Sequence, residues 1–202
     1  MLLKSYSKLN LTLSINKKIP QKKLHDLQSY FCLIDIFDEI KIKKVKGSKD
    51  IVKFKGKFAK YVKKNNNSIT TLLSALRKKK LLSDYYFISV KKKIPVFAGM
   101  GGGTSNAAFL IRYFFKGKIP EDLIKDLSKK VGTDLKLFFY KQGFLKNIET
   151  INGLSKKHKL YFLLVYPNIK CSTSNIYSKI KKYSSKSKYS LKYINKKLNY
   201  IK

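Results

Sequence analysis

Apolar and polar residues alternate with a period of two along the first part of the chain. Residues 9–15 read Leu-Asn-Leu-Thr-Leu-Ser-Ile and predict a strand with one apolar face. Residues 16–23 hold Pro20 and four lysines and predict a loop. Residues 28–34 and 38–43 predict two strands of a hairpin with its turn at residues 35–38. The weak, lysine-rich pattern of residues 46–64 predicts a short strand and an exposed loop.

A helical period appears after residue 65 and alternates with strands from there on. The run Asn65-Asn66-Asn67-Ser68 offers N-caps to a helix over residues 69–79, and residues 85–90 predict a strand. Pro120 and two acidic residues begin a helix that ends before Gly132. Residues 160–166 predict a buried strand, and Ser172 or Thr173 predicts the cap of a helix through residue 182. Helices and strands mixed without a strict βαβ period predict an α+β fold.

The charge is strongly positive, with 46 basic against 11 acidic residues among 202 and a formal net charge of +35. Only Arg77 and Arg112 are arginines, whereas phosphate and base recognition favours the planar guanidinium. The lysines accompany many Ile, Asn, Tyr and Phe residues, a composition typical of an AT-rich genome. The charge therefore predicts weak, non-specific, salt-sensitive association with RNA rather than a primary role in nucleic-acid binding.

Other broad classes are disfavoured by simple features. No apolar run approaches the ~20 residues of a membrane-spanning helix, and residues 1–15 lack the apolar centre of a signal peptide, so we expect a cytoplasmic protein without a membrane partner. Cys32 and Cys171 form no CxxC pair, and His25 and His158 lie far apart. These residues predict buried or incidental thiols and no histidine-based metal centre.

Chemistry is concentrated in a glycine-rich segment at residues 95–108. Glycines let backbone N–H groups turn toward a phosphate, and the helix predicted from Thr104 onward adds unpaired N–H donors. Thr104 and Ser105 supply hydroxyls for a phosphate oxygen or Mg²⁺. No Gly-Lys-Ser/Thr closes the loop as in a Walker A motif, and the bunched glycines differ from a Rossmann fingerprint. The segment predicts a phosphate site rather than a merely flexible turn.

Four segments together resemble the GHMP kinase family. Residues 95–108 resemble its second motif, in the form found in the branch that phosphorylates a cytidyl diphosphate derivative of methylerythritol in the non-mevalonate isoprenoid pathway. The other three are Ser7-Lys8-Leu9-Asn10-Leu11, Leu24-His25-Asp26-Leu27-Gln28-Ser29 to Ile34-Asp35, and Val131-Gly132-Thr133-Asp134-Leu135. The resemblance implies transfer of a phosphoryl group from ATP, with Mg²⁺, to the 2-hydroxyl of that small molecule.

The resemblance also assigns roles to residues of the acceptor side. Asp134 would be the general base, Lys8 would keep Asp134 ionised and face the transferring phosphoryl group, and Asn10 would bind the acceptor's hydroxyls. His25 would read the cytosine edge and Tyr177 would supply a stacking face. Leu24 stands where the family has an aromatic residue, which predicts weaker affinity for the cytidine.

The nucleotide side is implied in the same way. The residues expected to approach ATP are Asn67, Lys92, Pro95, Gly99, Gly101, Gly102, Gly103, Thr104, Ser105 and Asn106, with Ser105 also a candidate Mg²⁺ ligand.

The domain organisation expected from the resemblance is an ATP-binding domain over residues 1–150 and a partial second domain over residues 151–202. The first would have a fold like the second domain of ribosomal protein S5, and the second an incomplete ferredoxin-like fold. No glycine follows Gly153, so the family's third glycine-rich motif is missing. We expect a fragment or a reduced protein, with apolar surface near residues 161–166 partly uncovered and weak or absent activity.

Three alternatives stay open at this point. The first is another GHMP kinase of mevalonate or homoserine type, the second is a basic RNA-binding protein, and the third is a non-catalytic remnant of a kinase. Its oligomeric state is not predicted.

Overall fold

The computed structural model describes residues 1–20, 24–154, 158–167, 169 and 173–185. The strands are β1 Leu2–Asn10, β2 Ser14–Lys18, β3 His25–Val45, β4 Ile51–Lys55, β5 Tyr85–Lys91, β6 Gln142–Leu145 and β7 Ile151–Gly153. The helices are α1 Ser68–Lys78, α2 Gly102–Phe115, α3 Glu121–Val131 and α4 Thr173–Ser178, with 3-10 helices at Ala59–Tyr61 and Thr133–Phe139. The chain divides into a first unit, Met1–Lys8 with Ile34–Phe139, and a second unit, Leu9–Leu33 with Tyr140–Lys202.

The first unit combines a sheet with helices α1, α2 and α3. The C-terminal half of β3 pairs antiparallel with β5, with Glu39 opposite Lys91 and Val45 opposite Tyr85, and β4 adds to β5 in parallel. Alternate residues of these strands point to one buried face, as a period of two requires. That face packs with the apolar faces of the helices, whose fully buried side chains include Leu72, Leu76, Leu110, Ile111 and Leu127.

The second unit is built on the N-terminal half of the same long strand. There β2 and β6 both pair antiparallel with β3, and β7 pairs antiparallel with β6. The register of β2 shifts between Ile15 and Lys17. A small core forms around Tyr30 and Phe144, with Leu11 and Leu154 packed against them.

The predicted helices are present, and the boundaries of two of them, α2 and α4, differ from the prediction. Asn67 caps α1, accepting hydrogen bonds from the amides of Ile69 and Thr70, and Pro120 and Gly132 bound α3 as the sequence indicates. Helix α2 begins at Gly102 rather than at the predicted Thr104, because Gly101 is the N-cap residue in a left-handed conformation.

Two strand predictions are wrong. Residues 9–15 are divided between β1 and β2, since residues 11–13 leave the strand and the amides of Leu11 and Thr12 bond the carbonyl of Tyr30. The loop expected at residues 16–23 is strand as far as Lys18. The hairpin expected around residues 35–38 does not form, because β3 runs through it for 21 residues. Asp38, which the sequence predicts in the turn, is fully buried there.

The predicted buried strand at residues 160–166 is also wrong. Residues 158–167 contain no strand, and Tyr161, Leu163 and Val165 are more than four-fifths exposed. The exposure agrees with the expectation that this apolar stretch is partly uncovered. Helix α4 ends at Ser178 rather than at residue 182, and the predicted cap Ser172 and the thiol Cys171 lie outside the described residues.

Two further expectations for the fold are confirmed, and those for the domains stay predictions. Cys32 is buried, as predicted, and helices and strands are mixed as in the expected α+β class. None of the helices in the described part of the chain has the length and hydropathy to traverse a bilayer. The boundary near residue 150 and the two domain types stay predictions.

Candidate active site

The glycine-rich segment forms a loop between β5 and the start of α2, within the first unit. Its backbone is left-handed at Phe97, Gly99 and Gly101, with φ of 64°, 70° and 67°. A Cβ on Gly101 would lie 2.8 Å from Phe138 Cζ, and a Cβ on Gly102 would lie 3.0 Å from Ile94 Cγ2. Both positions therefore need glycine, the first for its φ and both for their close neighbours.

The start of α2 has the features of an anion site. The N-cap residue is Gly101, which has no side chain to accept hydrogen bonds from the first N–H groups of the helix. Those amides lie at the positive end of a helix of 14 residues. A phosphate oxygen is the natural partner of such amides.

Lys8 and Asp134 form an ion pair in the same unit. Lys8 lies on β1 and Asp134 on the 3-10 helix after α3, and Lys8 Nζ donates to Asp134 Oδ2 at 2.8 Å. The Lys8 side chain is 5% exposed and that of Asp134 39%. The backbone amide of Lys8 also donates to the carbonyl of Met100 at 3.0 Å, so this pair is tied directly to the glycine loop.

A buried polar network lies behind the loop. Lys92 donates to the Asp38 carboxylate, and both side chains are almost fully buried. Asn106 Nδ2 donates to Asp38 Oδ2 and to Ser5 Oγ, each at 3.0 Å. Burial lowers the pKa of Lys92, and the neighbouring carboxylate opposes that shift. Sequence reasoning missed Asp38 and Ser5, since their partners are distant along the chain.

Three residues expected at the nucleotide are part of this interior. Ser105, Asn106 and Lys92 are at most 3% exposed. The Ser105 hydroxyl donates to the carbonyl of Tyr6 at 2.5 Å and lies 2.7 Å from Ser5 Oγ. Because the Ser105 hydroxyl is engaged in these two contacts, it does not fit the expected role of a Mg²⁺ ligand. The described residues contain no cluster of three His, Cys, Asp or Glu suited to a metal.

The other expected nucleotide residues are nearer the surface. Gly99 and Gly103 are exposed, and Pro95, Gly101, Gly102 and Thr104 are half-buried. Asn67 uses its amide group for the cap of α1, since Oδ1 accepts two backbone amides and Nδ2 lies 3.0 Å from the carbonyls of Lys63 and Lys64.

A cavity of about 490 Å³ opens beside α1 in the first unit. It is lined by Asn65, Thr70, Thr71, Ser74, Ala75, Lys78 and Lys130. Hydroxyls and two ammonium groups in one cavity suit a polar ligand that carries negative charge.

The residues expected to bind the acceptor lie in the second unit. The His25 ring stacks on Tyr177, with centroids 5.5 Å apart and planes 24° from parallel, and on Tyr183 at 6.0 Å and 29°. Asn10 accepts a hydrogen bond from Ser29 Oγ at 3.1 Å. Tyr183 was not predicted, because nothing in the sequence distinguishes it among 14 tyrosines.

Comparison with solved structures defines the class of the fold. The chain resembles a 4-(cytidine 5'-diphospho)-2C-methyl-D-erythritol kinase with a TM-score of 0.57 at 20% identity, covering 76% of this chain and 55% of that one. The mevalonate kinase of Methanococcus jannaschii gives 0.50 at 16% identity, covering 77% and 56%. The fold is therefore that of the GHMP-type kinases.

Comparison with curated sequences narrows the class to one family. No family model matches the chain. A 4-diphosphocytidyl-2-C-methyl-D-erythritol kinase of Pelagibacter ubique is 37% identical over 186 residues, covering 90% of this chain and 66% of the relative. The enzyme of that name from Ureaplasma parvum is 30% identical over 191 residues, covering 89% and 69%. The chain belongs to the 4-diphosphocytidyl-2-C-methyl-D-erythritol kinase family, and spans about two thirds of the length of these relatives.

Proposed function

We propose that this chain carries the ATP-binding and catalytic part of a kinase that phosphorylates the 2-hydroxyl of 4-diphosphocytidyl-2-C-methyl-D-erythritol, an isoprenoid precursor. The observation that carries the proposal is the Lys8–Asp134 ion pair, tied through the Lys8 amide to the glycine loop at the start of α2. A carboxylate and a cation beside a phosphate-binding helix start are the groups that phosphoryl transfer needs.

Asp134 acts as the general base in this proposal. Its carboxylate accepts the proton of the acceptor hydroxyl as the hydroxyl oxygen bonds to the γ-phosphorus of ATP, and the bond from that phosphorus to the β,γ-bridging oxygen breaks to leave ADP. Lys8 positions the carboxylate through the ion pair and offsets negative charge on the transferring group. The partial exposure of Asp134 supports this role, because a substrate hydroxyl must reach it.

The loop binds the phosphates of ATP through its backbone. The exposed Gly99 and Gly103 and the uncapped first turn of α2 provide N–H donors, and Thr104 adds a hydroxyl. Ser105, Asn106 and Lys92 support the loop from the interior. Mg²⁺, when bound, neutralises phosphate charge, and nucleotide phosphates rather than a dedicated protein cage are its usual ligands.

Three further residues bind the acceptor in this proposal. His25 hydrogen-bonds the cytosine, Tyr177 stacks on the base, and Asn10 binds hydroxyls of the sugar alcohol. The present stacking of Tyr177 on His25 supports an aromatic site for a nucleobase. We place the reaction in the cytoplasm, where ATP is abundant.

ATP consumption by the purified chain, with and without the cytidyl substrate, tests the proposal. We expect substrate-dependent turnover that Asp134→Asn lowers about a hundredfold or more. Asp126→Asn is the matched control, since Asp126 is also a half-exposed aspartate paired with a lysine, Lys79, at 2.9 Å. It should keep full activity.

Other substrates and partners distinguish the alternatives. Turnover with mevalonate or homoserine in place of the cytidyl compound would move the chain to another GHMP kinase. A folded sample that binds RNA, but neither binds nor consumes ATP, would contradict the kinase assignment.

A further inference from the structure

We propose that Asp38 is a positioning residue for the glycine loop, and that it fixes both ends of the loop in the arrangement that binds the phosphates of ATP. This inference rests on the proposed kinase function, which it extends to a residue that contacts neither nucleotide nor acceptor. Asp38 lies on β3 and is fully buried.

One carboxylate oxygen fixes the chain that enters the loop. Asp38 Oδ1 accepts the backbone amides of Lys93 at 2.7 Å and Ile94 at 2.9 Å. Ile94 is fully buried and packs directly below Gly102, where a Cβ would meet it at 3.0 Å. The position of Ile94 therefore sets the position of the first residue of α2.

The other oxygen fixes the helix that leaves the loop. Asp38 Oδ2 accepts from Lys92 Nζ and from Asn106 Nδ2. Asn106 lies in the second turn of α2, so one carboxylate group bonds the segments before and after the loop. The left-handed residues Phe97, Gly99 and Gly101 lie between these two anchors.

The network continues to the strand that carries Lys8. Asn106 Nδ2 donates to Ser5 Oγ, and Ser5 Oγ in turn lies 2.7 Å from Ser105 Oγ, which donates to the carbonyl of Tyr6. Ser5 and Tyr6 belong to β1, as does Lys8. The chain of bonds therefore sets the start of α2 relative to the strand of the Lys8–Asp134 pair.

Charge makes this arrangement sensitive to the loss of one partner. Asp38 and Lys92 are the two charged groups of the network, and both are buried. Removing the carboxylate charge leaves the Lys92 ammonium without its compensating charge in the interior. In Asp38→Asn the side-chain NH2 group would also face other donors. These are either the side chains of Lys92 and Asn106 or the backbone amides that Asp38 now accepts.

The first test compares Asp38→Asn with Asp50→Asn. Asp50 is a matched control because it also takes a backbone amide, that of Tyr86, and a basic side chain, Arg77, but contacts no part of the loop. We expect Asp38→Asn to raise the KM and the dissociation constant for ATP about tenfold or more with a smaller change in kcat. Asp50→Asn should lower the melting temperature and leave ATP affinity unchanged. Equal ATP affinity in the two folded variants would overturn the proposal.

If Asp38→Asn fails to fold, a milder pair of variants, Ser5→Ala and Ser7→Ala, tests the proposal. Ser5 and Ser7 are fully buried serines on the same strand, and the Ser7 hydroxyl has no hydrogen-bond partner among the described residues whereas Ser5 belongs to the network. We expect Ser5→Ala to weaken ATP binding about threefold, the worth of one hydrogen bond, and Ser7→Ala to leave it unchanged. Equal affinities in this pair would overturn the proposal.

The readouts separate this inference from the proposed function. Wild-type turnover with the cytidyl substrate tests the function, and the ranking of ATP affinities tests the role of Asp38. ATP binding without turnover, weakened by Asp38→Asn, would support the inference while contradicting the function. A wild type that binds no ATP would overturn both.

Discussion

The Lys8 ammonium group contacts the Asp134 carboxylate at 2.8 Å although 126 positions separate the two residues. The two side chains of this pair differ in solvent exposure, since the lysine is buried and the aspartate is more than one-third exposed. The ion pair holds the carboxylate in place while leaving it open to a substrate. This asymmetry suits a base that must accept a proton from a bound hydroxyl.

A double-mutant cycle measures how far these two residues act as one unit. We expect Lys8→Met and Asp134→Asn each to lower turnover about a hundredfold or more, and the double variant to be little worse than either. ATP affinity should change little in all three. Rates of the four proteins at saturating substrate provide the measurement, and additive losses would show that the residues act independently.

Gly102→Ala should weaken ATP binding by displacing the first turn of α2. The new Cβ would approach Ile94 to 3.0 Å, and crowding of this kind in a packed interior costs about 1–3 kcal/mol. Gly117→Ala is the control, because its Cβ meets only the carbonyl oxygen of Phe115 at 3.7 Å. Chemical denaturation and ATP titration of both variants check this, and equal behaviour would contradict the close packing at Gly102.

Loss of the tyrosines around His25 should affect the cytidyl substrate alone. We expect Tyr177→Ala and Tyr183→Ala each to raise its KM about five- to tenfold, since aromatic stacking contributes about 1 kcal/mol or more, with the KM for ATP unchanged. Tyr161→Ala, at a side chain 81% exposed, is the control and should change neither constant. A parallel rise in both KM values would indicate misfolding instead.

Stability should fall at alkaline pH because of Cys32. Burial raises the pKa of this thiol from 9.0 to about 11, so between these values the unfolded chain releases a proton that the folded protein keeps. The contribution is fully present below pH 9 and is lost toward pH 11. The free energy of unfolding should therefore drop by up to about 1.4 kcal/mol per pH unit in that range.

Cys32→Ala tests this contribution, since the variant loses the thiol and keeps Tyr30, whose pKa in the wild type is raised to about 12 by burial and by the neighbouring Cys32. Denaturant titrations at about pH 8.5 and about pH 10.5 should show a steeper loss in the wild type. Parallel losses in the two proteins would assign the alkaline sensitivity to other groups.

RNA association should depend steeply on salt if it arises only from the net charge of +35. We expect retention on a generic RNA at about 50 mM salt to vanish by about 500 mM, with no preference for sequence. Filter binding over a salt series provides the measurement. Retention at the higher salt would indicate a built RNA site.

Local signals explain what the sequence predicts well. The cap at Asn67, the start at Pro120 and the end at Gly132 are set by neighbours within a few residues, and all three predictions are confirmed. The glycine loop was likewise recognisable from its own residues. The pairing of Lys8 with Asp134 came from the family resemblance, since neither residue has a local feature that singles it out.

Long-range partners explain what the sequence predicts poorly. Asp38 looks like a turn residue because aspartate favours turns, but four donors from distant segments satisfy it inside a strand. The apolar residues 160–166 predict burial only if something covers them, and a periodicity contains no information about that cover. Tyr183 and Ser5 also take their significance from contacts that folding creates.

The continuity of β3 has a consequence for the order in which the protein is built on the ribosome. All of the first unit, Met1–Lys8 and Ile34–Phe139, has been synthesised once residue 139 emerges. Residues 29–32 of the same strand must wait for β6, more than a hundred positions later, before they gain that strand as a partner. Every residue of the glycine loop and of the Lys8–Asp134 pair is therefore available for folding before β6, a strand of the second unit, has been synthesised.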